Sequence, residues 1–175
     1  MTLQEPTPSR SQPPRKQLVL DALDLYRYRF ASADDAPALA FLFEEAFNDS
    51  GFPSRGIRYS VPKAGDWLTR VLANRSCPHL VAVHDDEIVG AISYALDETF
   101  CVDPVAVMHM LYIRPAHRRS AVGRVLVGLC VDAARDEGAV AFHAPIAAEV
   151  RERSLVNLFA HGGFEPIGTI MGRSL

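Results

Sequence analysis

Long apolar runs are missing from this chain. No stretch approaches the roughly 18 residues that a helical membrane span requires, so no membrane is expected among its partners. The opening segment MTLQEPTPSRSQPPRKQ lacks the apolar core of a secretory signal, and the expected location is cytoplasmic. Cysteine is scarce. Cys77, Cys101 and Cys130 are an odd set without paired spacing, which argues against a disulfide framework and for reduced packing thiols. Excess positive charge is absent too. The formal net charge is -3, whereas dedicated nucleic-acid domains are normally basic, so no nucleic acid is expected. No histidine pair has metal-ligand spacing, and Asp85-Asp86-Glu87 reads as a solvated turn, so no metal is expected.

What is there reads as an ordinary globular chain, 49% apolar and 22% charged. Its 175 residues suit one domain with a core large enough to need no staple. Residues 1–17 are rich in Pro, Ser and Gln and cannot bury enough apolar surface to offset their ordering entropy. They are expected to be a disordered tail, with the domain spanning 18–175.

Along the domain, Leu25 to Phe30 alternates as a half-buried strand does. Ser32 with Asp35 three residues on marks a helix start, and Pro37 fits a first turn. Ala36, Leu39, Ala40, Phe43 and Phe47 share one helical face, and Asn48 to Gly51 ends that helix. Pro62 to Ala73 reads as a second helix with Trp67, Val71 and Leu72 inward. Leu80–His84 and Ile88–Leu96 form a hairpin about Asp85-Asp86, and Val105–Ile113 is a further apolar strand. A loop over Arg114–Gly123 leads into a periodic helix, Val122–Glu137, closed by Gly138. Val140–Ala144 reads as a short strand, Ser154–His161 as a helix stopped by Gly162 and Gly163, and Phe164–Met171 as a last strand. This order predicts a mixed sheet with helices on its faces.

The segment MLYIRPAHRRSAVGRVL, residues 110–126, is strand, loop and helix start in succession. Backbone N–H groups from Arg119 to Arg124 would be unpaired at the helix N-terminus and would add to its dipole, a ready site for an anion. Ala121 and Gly123 are small enough for close backbone approach, Arg118, Arg119 and Arg124 add positive charge, and Ser120 adds a hydroxyl. A diphosphate is the natural guest. The competing reading is a solvated basic loop capping an ordinary helix.

This loop resembles the coenzyme A loop of the GNAT acetyltransferases, whose pattern is Arg/Gln-x-x-Gly-x-Gly/Ala. The pattern falls on Arg118-Arg119-Ser120-Ala121-Val122-Gly123, with Ala121 in place of the first glycine and Pro115 upstream. In this the chain is similar to a phage and bacterial branch with Arg-x-Ser-x-x-Gly at that place. RFASADDAPALAFLFEEAF, LVAVHDDEIVGAISYAL and LVNLFAHGGFEPIGTIM resemble other parts of the same family, so the resemblance covers nearly all of Leu25 to Leu175.

The resemblance implies an α/β (α+β) fold: a mixed, mostly antiparallel central sheet of about six to seven strands flanked by helices on both faces. It implies an N-acetyltransferase that binds acetyl-CoA as co-substrate, without a metal, and a small-molecule or peptide amine as acceptor. A homodimer is compatible with it. Pantetheine would meet the backbone at Leu111, Tyr112 and Ile113, and pyrophosphate would sit on Arg118, Arg119, Ser120, Ala121, Val122, Gly123 and Arg124. Phe159 falls where the family often has an acid tyrosine; it could line the thioester pocket but has no proton to give. The family's frequent asparagine falls on Glu152, with Ser154 and Asn157 nearby. The base is left between His109 and His143, each with a buried structural role as the alternative. His79, His84, His117 and His161 are expected on the surface or in loops. Residues 48–64 would form part of the acceptor wall, and Glu149 a loop bordering it. The other reading of the whole chain is a binding or structural protein that kept this fold and lost turnover.

Overall fold

Alternating side chains in RYRF put Tyr28 into the core and leave Arg27 exposed in a short strand, β1 (Arg27–Phe30). The structure, a computed structural model, describes residues 25–99, 102–146 and 152–168. The tail at 1–17, Cys101 and Glu149 lie outside these residues. After β1 come α1 (Ala36–Asn48), α2 (Val61–Asn74), β2 (His79–His84), β3 (Glu87–Asp97), β4 (Val105–Ile113), α3 (Val122–Asp136), β5 (Ala141–His143) and α4 (Glu152–His161).

The start of α1 is built as the sequence predicts. The Ser32 backbone N–H donates to the Asp35 carboxylate at 2.7 Å, and Arg29 donates to both its oxygens at 2.7 and 2.8 Å. The Arg29 hydrogen bonds lead in holding the Asp35 carboxyl below its ordinary range, against the opposing effect of burial. In α2, Leu68 and Leu72 are buried, one turn apart. Trp67 is 38% exposed and packs edge-on against the His79 ring rather than pointing inward, a correction to the helical face expected from sequence. Asp85 and Asp86 both have positive φ, 49° and 62°, as the tightest hairpin turn between β2 and β3 requires.

The sheet runs β1-β2-β3-β4-β5, antiparallel through β4, with β5 parallel to β4. One face carries α1 and α2 over Val81, Val83, Ala91 and Tyr112; the other carries α3 and Phe159 of α4 over Leu80, Ile92 and Ala106. Helices on both faces match the expectation. The strand count does not: five strands stand among the described residues, against six to seven expected. The shortfall lies after α4. The Phe164 N–H closes onto the Phe159 carbonyl at 3.1 Å, its ring packs on Phe159, and Pro166 has no N–H to give a ladder. Residues 164–168 are therefore irregular, and 169–171 lie outside the described residues.

Strand β4 carries a bulge. Ser93 pairs with Met110 and Tyr94 with Met108, which leaves His109 unpaired with β3. The extra residue reverses the alternation. Ala106 and Met108 pack on the α3 side, whereas Met110 and Tyr112 pack on the α1 side.

Candidate active site

β4 and β5 pair at Val105–Ala141, Ala106–Phe142 and Val107–His143, and there β5 ends. β4 runs on to Ile113 without a strand partner on that side among the described residues. The two diverge just where the bulge turns His109 out. The gap widens into a cleft of about 860 Å³ between β4, the start of α3, α4 and the end of α1.

The floor of one end is the 118–124 loop. Ser120 Oγ donates to the His117 carbonyl at 2.6 Å and accepts the Val122 N–H at 3.2 Å, which shapes the turn into α3. The N–H groups of Arg119, Ala121, Gly123 and Arg124 meet no acceptor among the described residues. They lie where the helix dipole is positive. Arg119, Ser120, Gly123 and Arg124 line the cleft; Ala121 and Val122 lie behind it, Val122 fully buried. Arg119 and Arg124 are exposed and form no ion pair among the described residues.

Arg118 is differently placed. Its Nε donates to the Ile113 carbonyl at 2.6 Å, an Nη donates to the Asp49 carboxylate, and the guanidinium lies 5.1 Å from the Tyr112 ring centre. It ties the loop to β4 and to the end of α1, so its charge is largely matched inside the fold. Arg114 does the same one turn earlier, bonded to Glu45 at 3.0 to 3.2 Å and to Glu87 at 3.1 Å. Neither Glu45 nor Asp49 is legible from sequence as a partner, because 69 residues separate each from its arginine.

Gly123 has a second duty. A Cβ there would meet Ile113 Cδ1 at 3.1 Å and Leu158 Cδ2 at 3.4 Å. The glycine thus lets α3 sit close on β4 and α4 as well as opening the cleft.

Leu111, Tyr112 and Ile113 line the cleft from β4, and Ser154, Asn157 and Leu158 from α4. Phe159 does not reach it: the ring is 3% exposed and packs against Phe164. The two candidate bases part company. His109 is exposed and lines the cleft, with Nδ1 3.6 Å from the Cys77 Sγ. His143 stands at the paired end of β5, away from the lining. Burial pushes the Cys77 thiol up to about 11, so it stays protonated beside His109.

Of the other histidines, His79 departs from expectation. His79 is buried, 1% exposed, between Phe43 and Trp67, with Nδ1 2.8 Å from the Cys77 carbonyl. Burial, outweighing that hydrogen bond, pushes its pKa down to about 4. It sits inside because β2 starts at His79, one residue earlier than the sequence suggests, under α1 and α2. His117 is half-buried and bonded to the Tyr26 hydroxyl at 3.0 Å.

Among the described residues no cluster of three or more His, Cys, Asp or Glu could hold a metal ion, and no helix is long and apolar enough to cross a membrane.

The architecture around this cleft has a counterpart in sequence. The family model described as "Acetyltransferase (GNAT) family" matches residues 36–164, from the first residue of α1 to just past α4. The chain belongs to the GNAT acetyltransferase family. No curated protein matches it in sequence. Solved structures share the GNAT fold at low identity. A probable acetyltransferase superposes with a TM-score of 0.68 at 18% identity, over 85% of this chain and 96% of that one. An aminoglycoside acetyltransferase from an uncultured soil metagenomic sample, in complex with sisomicin, gives 0.67 at 19%, over 87% and 97%. A predicted acetyltransferase with acetyl-CoA from Clostridium acetobutylicum gives 0.67 at 15%, over 85% and 96%.

Proposed function

We propose that this GNAT protein transfers an acetyl group from acetyl-CoA to a primary amine by direct attack. The observation that carries the reading is a conjunction. The loop that presents unpaired N–H groups and two exposed arginines is continuous with the gap opened where β4 leaves β5. The residues fit the co-substrate: the N–H groups of Arg119, Ala121, Gly123 and Arg124, with the Arg119 and Arg124 guanidiniums, suit a diphosphate. The edge of β4 that has no strand partner among the described residues, at Leu111 and the Ile113 N–H, suits the amides of pantetheine.

When bound, acetyl-CoA supplies an activated thioester. The rest is the work of the chain. The cleft walls fix the acceptor and exclude water. The bulge at His109 turns backbone out of the β3 ladder, the place for an N–H that polarises a carbonyl. His109 is the base in this reading. With Nδ1 protonated and turned to the Cys77 sulfur, its Nε2 is left to accept a proton in the cleft. Phe159 has no proton to donate, so solvent supplies the one the leaving thiol needs. Ala121 in place of a loop glycine leaves the N–H groups in position and is a variation of the site in this reading.

Thiol release from acetyl-CoA in the presence of primary amines tests the proposal. Turnover that depends on the amine and is lost in Arg119→Ala/Arg124→Ala is expected. A second reading is favoured by one observation, the burial of Phe159 against Phe164 where the family often has an acid: a protein that keeps the fold and binds without turnover. Acetyl-CoA binding without thiol release for any amine would favour it over acetyl transfer.

A further inference from the structure

We infer that the acceptor is a primary amine carried on an aromatic or extended apolar body, seated against Phe47, Phe52 and Tyr59; the inference rests on the acetyl-transfer reading. One wall of the cleft, from α1, the segment after it and β4, carries Phe43, Phe47, Phe52, Tyr59, Met108 and Met110. Phe47 is the centre of the aromatic group, 5.7 Å from Phe52 and 5.5 Å from Tyr59 between ring centres. Phe52 is 37% exposed and Phe47 is half-buried, so apolar ring surface faces the opening.

The polar side chains that α1 and the segment after it add to this wall are engaged within the fold. The Tyr59 hydroxyl donates to the Ala40 carbonyl at 3.0 Å, so the residue offers its ring. Ser50 Oγ donates to the Phe47 carbonyl at 2.6 Å and accepts the Phe52 N–H at 3.2 Å. Asp49, the carboxylate among the described lining residues, is bonded to Arg118, which also holds the Ile113 carbonyl. Taking Asp49 for a ligand would loosen the loop.

The rest of this wall is apolar, and His109 lines the same cleft. The apolar body of such an amine loses little on leaving water here, and one ammonium rather than several has to be desolvated, beside His109. A polycationic aminosugar would need a carboxylate for each ammonium that it buried, and the described wall offers one, already matched. A peptide would need partners for its amides.

The test compares kcat/KM by thiol release for 2-phenylethylamine, sisomicin and glycylglycine amide, with acetyl-CoA affinity measured separately by calorimetry. At least tenfold preference for 2-phenylethylamine is expected, since a well-fitted apolar pocket commonly discriminates by about 10- to 200-fold. Phe52→Ser is expected to lower that kcat/KM about fivefold, mainly through KM, with acetyl-CoA affinity unchanged; Phe47→Leu serves as a second variant should Phe52→Ser fold poorly. Preference for sisomicin or the peptide would overturn the inference, as would indifference to both substitutions. Acetyl-CoA binding with no turnover of any amine would overturn this acceptor class and leave the donor site standing. Absence of acetyl-CoA binding would overturn the acetyl-transfer reading, and the acceptor class with it.

Discussion

Acidifying the protein from pH 7 to pH 5 should weaken its fold through His79. The imidazole is sealed between Phe43, Trp67 and the Cys77 backbone, and only 1% of the residue is exposed. Burial is the largest cause of its depressed pKa, about 4; the Cys77 hydrogen bond opposes this, and nearby His109 adds to it. The sign follows directly. Below about 6.5 the unfolded chain takes up a proton that the native imidazole refuses until about pH 4, so stability is lost as pH falls through that interval. At 1.36 kcal/mol per pH unit, a drop from 6.5 to 5 costs about 2 kcal/mol. The buried position means little solvent screening reduces this. Asp35 does not confuse the window. Its carboxyl is held below its ordinary range, chiefly by Arg29, so the stability it gives is lost only at lower pH, below about 4. Urea unfolding at pH 7 and pH 5 measures the effect, with His79→Phe as the control. The wild type should lose about 2 kcal/mol and the variant much less. A wild type equally stable at both values, or a variant just as sensitive, would refute the assignment of a buried neutral histidine.

Gly123→Trp should lower stability by about 3 kcal/mol, seen as a fall in melting temperature, because even a Cβ at that position meets Ile113 at 3.1 Å. An unchanged melting temperature would mean that α3 is not packed closely on β4 there. Asp35→Ala removes the helix-start bonds to Ser32 and Arg29 together and should cost about 1 to 2 kcal/mol by urea unfolding at pH 7.

Much of the architecture was legible because local signals agreed with the packing. The Ser32–Asp35 spacing, the Asp85-Asp86 turn and the apolar period of α3 each act over a few residues, and each appears where the sequence places it. β4 matches its expected bounds, Val105 to Ile113. Its bulge was hidden, because a continuous apolar run looks the same with or without an extra residue; pairing with β3 creates the bulge. The expected last strand is absent over 164–168 for a related reason. FEPIGTIM has strand-like composition, but the end of α4 captures Phe164 through the Phe159 carbonyl. At the site, the anion loop could be read from local residues. The inward turn of Arg118 could not, since Asp49 reaches it only through the packing of α1 against β4. Nor could the separation of His109 from His143, which depends on where β5 stops.

Titration calorimetry of acetyl-CoA into the wild type and into Arg119→Ala/Arg124→Ala tests the central claim most directly. Both side chains line the cleft at the start of α3, and both are exposed, so their removal should leave the melting temperature unchanged. The expected result is binding by the wild type and affinity about 100-fold weaker in the double variant, as loss of two charge-assisted phosphate contacts implies. No binding by the wild type at millimolar acetyl-CoA, or equal affinity in the two proteins, would contradict the placement of the diphosphate on this loop.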